Sequence, residues 1–484
     1  MDAGKSPSFP VIPRPVEINR GDGTMALEHG IIASCHDPAL EPVKELLLKY
    51  WNKVTGQASG KEPGIPVMLE LDGNLEKGQH IIEITDCIKI KGGCRNAVIQ
   101  AIATIIQLIH VGDTSGVVHL PKVKIEDGAF APYRGLMIDV ARKKHKVKTL
   151  KRLVILCWFY KVNHLHLHLS DKQSFTFPSM KYPRLGTRRR TFSRNDLATL
   201  VEFAWKHGVT IIPEIDIPGH SGAMIRSMPG VFKLKGAVEN NGVINMGKEI
   251  VYEVIDALIT ELCEVFTTTN WIHLGADEVN FKGIDTDPDC IEFMKRHGLD
   301  NPHELYRYFI TRLNDMVKAR GKTLCIWEGF LPGGKIEIPK DLIVFEFECR
   351  WNRPENLLEG GYTMVNTSWR PLYVTKRKHW TPREIYRWNM FLWRNHSSAS
   401  PATLHPIQLD IDDAIESVLG AQVCSWSQKN RVELETTRNR LPAMAERTWS
   451  VTRETAITVP SDDLVENFMK RLQLTNDRLS KLIT

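Results

Sequence analysis

Between Pro132 and Ser450 the chain alternates between two kinds of segment, and this alternation constrains the fold more than any other feature. Short apolar runs at 135–140, 163–170, 209–215, 271–275, 323–327, 342–347, 362–367 and 418–425 have the length and near-continuous hydrophobicity of strands buried on both faces. Amphipathic stretches at 149–161, 195–207, 249–266, 303–320 and 440–449 have helical periodicity. Eight strand-like runs interleaved with helices predict an α/β chain, a (β/α)8 TIM barrel. The helical signal is weak after the fifth, sixth and seventh runs, so the second half of the barrel is expected to be irregular. The aromatic-rich connection 379–406 precedes the last run and should be a loop on the active face, where every strand-to-helix connection opens.

The first part of the chain has another rhythm. Ile81-Ile82-Glu83-Ile84 and Ile88-Lys89-Ile90-Lys91-Gly92 read as strands, and 97–110 has the length and apolar face of a helix laid on them. A smaller α+β domain over 1–130 is expected, followed by the catalytic barrel and a C-terminal helix over 131–484. No pair of catalytic residue types stands in the first segment, so it is read as a support domain.

Composition excludes several classes. With 42% hydrophobic and 25% charged residues, the chain is neither disordered nor fibrous. Lys and Arg total 63 against 57 Asp and Glu, an excess of 63 − 57 = 6 that points to neither nucleic acid nor membrane. The nine cysteines show no CxxC pair and no Cys-His spacing, so no metal centre and no cofactor are expected. No apolar run is long enough to span a membrane. The first six residues lack the apolar core of a signal peptide, and a start that reaches Phe9-Pro10-Val11-Ile12-Pro13 so quickly fits a secreted or periplasmic chain with its signal peptide trimmed.

Chemistry gathers where the barrel runs end. The first carries Arg134 and Asp139, the second stops at Asp171, the third runs through Glu214 and Asp216 to His220, and the fourth stops abruptly at Asp277-Glu278. One acid at a strand end is commonly a helix cap. Four neighbouring strands delivering acids and a histidine to one rim indicate a catalytic site.

These segments resemble the family 20 glycoside hydrolases, the β-N-acetylhexosaminidases. The resemblance rests on Tyr133-Arg134-Gly135-Leu136-Met137-Ile138-Asp139-Val140-Ala141-Arg142, on 166–175, on 213–220, on His273-Leu274-Gly275-Ala276-Asp277-Glu278 and on 440–450. It implies an exo-acting retaining enzyme that removes terminal N-acetylhexosamine from an oligosaccharide or glycoconjugate. Retaining glycosidases ordinarily set two carboxylates about 5 to 5.5 Å apart across the scissile bond, which neighbouring residues do poorly, and this family is a substrate-assisted exception. The resemblance makes Glu278 the general acid and base, and Asp277 the partner of the 2-acetamido group. Tyr373 becomes the donor to the acetamido oxygen, and Asp171 with His220 a relay behind Glu278. It makes Arg134 the grip on sugar hydroxyls, and Trp327 and Trp426 the pocket walls.

The departures sit at the pocket edge. Ala276 stands for a usual glycine; Thr375 and Gln428 stand where the family has carboxylates directed at O4 and O6; Glu348 replaces a third tryptophan, with Trp351 as its substitute. With those two carboxylates gone and basic runs at 142–146 and 188–190, a sulfated terminal sugar is an expectation to test. A catalytically silent glycan-binding relative is the competing reading, weakened by the intact Asp277, Glu278 and Tyr373.

Overall fold

The computed structural model describes residues 9–60, 62–112, 116–235, 242–376 and 380–483. The first six residues and His379, on which two expectations fall, lie outside the described residues.

Strands β1 (Glu17–Leu27), β2 (Ile31–Cys35), β3 (Ile65–Leu71), β4 (His80–Ile84), β5 (Ile88–Gly92), β6 (His110–Val111) and β7 (Val118–Asp127) form a mixed sheet in the order β1-β7-β4-β5-β3-β2, with β6 on β7. Helix Arg95–Leu108 lies on β3, β4 and β5 with one face and on the barrel helix Val147–Phe159 with another. That double burial explains why the segment is apolar nearly all round. Its buried Gln107 bonds the Ile12 backbone at both N–H and carbonyl and donates to the Phe159 carbonyl, so a polar residue ties the terminal segment to the barrel.

The barrel strands are β8 (Tyr133–Asp139), β9 (His164–His168), β10 (Thr210–Ile217), β11 (Trp271–Gly275), β12 (Thr323–Trp327), β13 (Ile343–Glu346) and β14 (Thr363–Asn366). After them come β15 (Tyr373–Val374), the hairpin pair β16 (Leu392–Trp393) and β17 (Ile407–Gln408), and β18 (Val418–Ser425). Strands β8 to β14 pair in sequence, all parallel, and β18 closes the ring between β14 and β8. The alternation in the sequence therefore does form a closed eight-stranded barrel. Among the described residues no helix stands between β12 and β13, only Pro354–Glu359 follows β13, and only the short α-helices Trp369–Leu372, Pro382–Tyr386 and Ile411–Ala414 stand between β14 and β18, as the weak signals there indicated.

Side chains of successive strand residues point alternately into the barrel and out towards the helices. On β9, Leu165 and Leu167 join the outer core, while the ring of His166 stacks on Trp327 and meets Phe345 inside. The inner layer holds Tyr133, Met137, Ile212, Cys325, Trp327 and Phe345. Helix Asp462–Leu482 then crosses back against helix Glu41–Thr55, and its buried Arg471 grips Glu446 of helix Leu441–Trp449 at 2.6 and 2.7 Å.

Candidate active site

The sharpest turn in the barrel carries the adjacent acids. Gly275, Ala276 and Glu278 have φ of 71°, 80° and 48°. A Cβ on Gly275 would sit 1.9 Å from Asp216 Oδ1, so only glycine fits there. Ala276 has a Cβ and adopts a left-handed backbone nonetheless, which its surroundings enforce: its N–H donates to Ile217 O at 2.9 Å and its carbonyl accepts from the Tyr306 hydroxyl. The turn throws Glu278 outward, with its side chain 47% exposed, and leaves Asp277 buried beside it.

His220, at φ 48° after β10, reaches back to this turn. Its Nε2 lies 3.1 Å from Glu278 Oε2 and 3.8 Å from Asp277 Oδ2. On the other ring edge, Nδ1 is 3.5 Å from Asp171 Oδ1. Arg142 Nη2 holds Asp171 Oδ2 at 2.6 Å, and its guanidinium lies 4.6 Å over the Trp426 ring. Four strands thus converge on Glu278 through hydrogen bonds and charge.

Burial disfavours a charged His220, yet Asp216, Asp277, Asp171 and Glu278 around it push its pKa up to about 12, so it is an imidazolium. The hydrogen bond from that imidazolium holds Glu278 below the usual carboxylate range. Asp277 moves the other way: burial, against the pull of His220 and helped by the nearby Glu278 charge, pushes it up to about 6. Asp216 is held well up by burial and by Asp277.

The pairing of β15 with β18 sets Tyr373 beside Cys424 and Val374 beside Ser425, and Trp426 N–H donates to the Val374 carbonyl at 2.9 Å. Tyr373, Thr375, Trp426 and Gln428 thereby share one side of the mouth. Trp327 is 1% exposed, its ring 5.9 Å from Trp426, and Tyr373 is 6.1 Å from Trp426. Glu348 is buried, and burial together with the nearby Glu278 charge raises its pKa. Several buried polar atoms around this mouth have no hydrogen-bond partner: Asp277 Oδ1, Glu348 Oε2, Trp351 Nε1, Trp369 Nε1 and Gln428 Nε2. Each such group costs about 1–3 kcal/mol. Their concentration here marks a surface shaped for a ligand rich in donors and acceptors.

Two expectations are corrected. Arg134 is the second residue of β8, five residues and about 17 Å before Asp139 at 3.3–3.4 Å per residue, so it belongs to the opposite end of the barrel. It is 1% exposed, donates to Lys161 O at 2.8 Å and Ala131 O at 2.5 Å, and lies over Trp449. The arginine at the mouth is Arg142, the last residue of the same sequence run. Trp351 makes no ring contact with Trp327, Trp426 or Tyr373 among the described residues; Trp369 does, stacked on Tyr373 at 5.3 Å. Sequence reasoning missed Trp369, although it stands two residues after the seventh run and four before Tyr373. The basic runs are also partly engaged inside the fold. Arg190 donates to Ala141 O and Arg142 O, His145 is buried against Glu433 at 2.9 Å, and Lys144 donates to Arg189 O.

The carboxylates and imidazoles in the barrel lie close enough to hold a cation, with ligand atoms of His166, Glu214 and His273 within 4.8 Å of one another. The Glu214 oxygens already accept from Trp327 Nε1 at 2.6 Å and from His168 Nδ1 at 2.7 Å, which accounts for this grouping as a hydrogen-bonded network.

The chain is similar to known proteins in sequence and in fold. The sequence profile of the glycosyl hydrolase family 20 catalytic domain matches residues 131–452. A β-hexosaminidase subunit β of Entamoeba histolytica is 30% identical over 402 residues, covering 75% of this chain and 66% of that protein. A β-hexosaminidase of Vibrio furnissii is 25% identical over 418 residues, covering 79% and 67%. The chain therefore spans about two thirds of the length of these relatives. In fold, it superposes on the exo-β-N-acetylglucosaminidase of Vibrio harveyi in complex with N-acetylglucosamine, with a TM-score of 0.82 at 22% identity, covering 99% of this chain and 79% of that one. It also superposes on a Streptomyces plicatus β-hexosaminidase in complex with its product, with a TM-score of 0.76 at 18% identity, covering 99% and 97%.

Proposed function

Because the chain belongs to glycosyl hydrolase family 20, we propose that it removes terminal β-linked N-acetylhexosamine from glycans, with retention, the substrate's own acetamido group serving as nucleophile. The observation that carries this reading is the turn at Gly275–Glu278, which leaves one carboxylate buried and one half-exposed against an imidazolium. Two acids on consecutive residues cannot stand on opposite faces of a sugar ring, so attack from the far face is left to the substrate.

In the first step the acetamido oxygen bonds to C1, the C1–O bond to the leaving group breaks, and Glu278 gives its proton to the departing oxygen. Asp277 accepts the acetamido N–H and stabilises the positive charge spread over the new ring, while Tyr373 orients the acetamido oxygen. In the second step water attacks C1 on the face the leaving group vacated, Glu278 takes its proton, and the acetamide reopens. In the free site Glu278 is the more acidic of the two, the reverse of this division of labour. A bound sugar covers the exposed half of Glu278 and desolvates it, raising its pKa, while the acetamido N–H and the developing cation favour ionised Asp277. The one proton on the pair thus moves to where it is used.

Thr375 and Gln428 support tolerance of an anionic group at O4 or O6. The basic runs support it less than their sequence suggests, being partly engaged internally. The test measures nitrophenol release from aryl β-N-acetylglucosaminide, the 6-sulfated analogue and the β-glucoside. Hydrolysis of the first, none of the last, and inhibition by a thiazoline mimic of the cyclised acetamide are expected. A covalent glycosyl-enzyme seen by mass spectrometry would refute the mechanism, and absence of any release would favour the silent glycan-binding reading. The sulfated arm decides the pocket edge: turnover no better than that of the neutral sugar at low salt removes the sulfate preference.

A further inference from the structure

The hydrogen-bonded chain behind Glu278 does not stop at Asp171. Asp171 Oδ2 lies 3.1 Å from His168 Nε2, and His168 Nδ1 lies 2.7 Å from Glu214 Oε2. The other Glu214 oxygen accepts the indole N–H of Trp327 at 2.6 Å. Glu278, His220, Asp171, His168, Glu214 and Trp327 form one line from the exposed acid to the pocket wall, crossing strands β9, β10 and β12 and the turn after β11. His168, Glu214 and Trp327 are all within 1% of complete burial, so no solvent competes for these bonds.

From this geometry we infer that His168 and Glu214 are positioning residues for the hydrolysis, fixing Asp171 and through it the imidazolium that orients Glu278, and that they couple Glu278 to the Trp327 wall. Neither residue touches substrate; both act through Asp171. His168 has an acceptor at each ring nitrogen, so it donates twice only as an imidazolium. Burial works against that charge, and Glu214 and Asp171 more than offset it, holding the His168 pKa well up. Glu214 is in turn held well down: burial opposes its charge, and His168 favours it. Without that charge, His168 loses the partner for its second proton and Asp171 loses a donor. Asp171 then keeps Arg142 and the Lys172 backbone N–H but loses the ring donor that fixes Oδ2 from the barrel side, and the second anchor of His220 is held less tightly. The Trp327 bond adds a consequence: a sugar that shifts the indole shifts an acceptor in the same chain that holds the acid.

The inference rests on the proposed hydrolysis and is tested separately from it. Glu214→Gln keeps the volume and an acceptor for Trp327 but removes the charge; His168→Gln breaks the chain one link nearer the acid. With wild-type protein active, both variants are expected to lose on the order of tenfold or more in kcat on a substrate with a poor leaving group. That loss compares with 10²–10⁴ for removing general acid catalysis altogether. On an activated aryl glycoside, which needs little protonation, both should stay within a few fold of wild type. In a Glu278→Gln background the same changes should have no further effect. Equal losses on both substrates, or a full additional loss in that background, would overturn the role, since generalised misfolding does not distinguish leaving groups. A spectroscopic measurement on protein with 15N-labelled histidine is independent of turnover. Besides the imidazolium of His220, a second doubly protonated buried imidazole should be present in wild type near neutral pH, disappear in His168→Gln and lose a ring proton in Glu214→Gln; its absence from wild type overturns the inference. Should both variants fail to fold, the 15N measurement on the wild-type protein decides alone, and absence of the His168 imidazolium signal overturns the inference. Inactive wild-type protein would instead remove the functional reading on which the kinetic arm rests.

Discussion

The two ends of the barrel use the same residue types to opposite ends. At the floor, Asp127 Oδ2 meets Lys161 Nζ at 2.5 Å, Asp127 Oδ1 accepts from Trp449 Nε1 at 2.8 Å and Val16 N–H at 3.1 Å, and Arg134 is anchored on two backbone carbonyls. At the rim, Asp171, Asp277, Glu278, Arg142 and His220 are as densely charged, yet Asp277, Glu348 and Gln428 keep unpartnered buried atoms, and His220, Ala276 and Glu278 have left-handed backbones. His80, with its Nε2 3.5 Å from Asp127, is left similarly unsatisfied at the floor. A charge cluster that closes on itself contributes stability. One that leaves its donors and acceptors unmade gives up stability for binding and chemistry.

The largest expected effect lies at the rim. Asp277→Asn and Glu278→Gln should each lower kcat by about 10²–10⁴, with thermal unfolding little changed or raised, because each relieves repulsion between adjacent carboxylates. Loss of activity with a large loss of stability would mean that the rim is structural after all. The pH profile sharpens this. The pair holds one proton below the Asp277 value of about 6 and none above it, and the reaction needs one proton and one charge. With His220 charged throughout this range, kcat/KM for the free enzyme should fall as pH rises through about 6. A profile flat to pH 8 would contradict the assignment.

At the floor the expected loss falls on stability. Asp127→Asn leaves Lys161, 1% exposed, without its counter-charge, at a cost of about 3–5 kcal/mol, read as a lowered denaturant midpoint. The kcat of the protein that remains folded should not move. Arg134 and Arg142 make the sharpest pair. Arg142→Gln should lower kcat/KM about 10- to 100-fold with little change in midpoint, since Asp171 loses the cation that lies nearest to it. Arg134→Gln should cost about 1.5–3 kcal/mol of stability with kcat unchanged. The opposite outcome would return Arg134 to the sugar.

These two arginines also show how far the sequence was legible. Strand and helix positions follow from hydrophobic period, and the barrel from their count, because burial on both faces of a parallel strand leaves a signal in every residue. The acids are visible because strands end there. Arg134 and Arg142 stand eight residues apart in one run, and only the direction of the strand assigns one to each end of the barrel. Had strand polarity been applied to that run, Arg142 would have been chosen. The relay beyond Asp171 had its own sign in His164-Leu165-His166-Leu167-His168, where period-two histidines mark a polar inner face and the leucines the outer core. Trp369, by contrast, reaches Tyr373 through a short irregular turn with no periodicity to read.

The smallest expected effect lies at Ala276, where the comparison between the two ends narrows to one methyl group. A left-handed backbone costs a residue with a Cβ about 1–2 kcal/mol, and glycine adopts it freely. Ala276→Gly relieves that cost at φ 80°. It also gives the unfolded chain more freedom, which takes back about 0.4–1 kcal/mol. The net is a stabilisation of between about 0 and about 1.6 kcal/mol, measured as a shift in denaturant midpoint at constant slope. Its functional readout follows from the contacts that hold the turn. Ala276 N–H is bonded to Ile217 O and its carbonyl to Tyr306, so the position of Asp277 is set by the backbone and not by the methyl group. The activity of Ala276→Gly should therefore stay within a few fold of wild type. A large loss would show that the methyl, fully buried beneath the catalytic pair, keeps the turn from sampling other conformations.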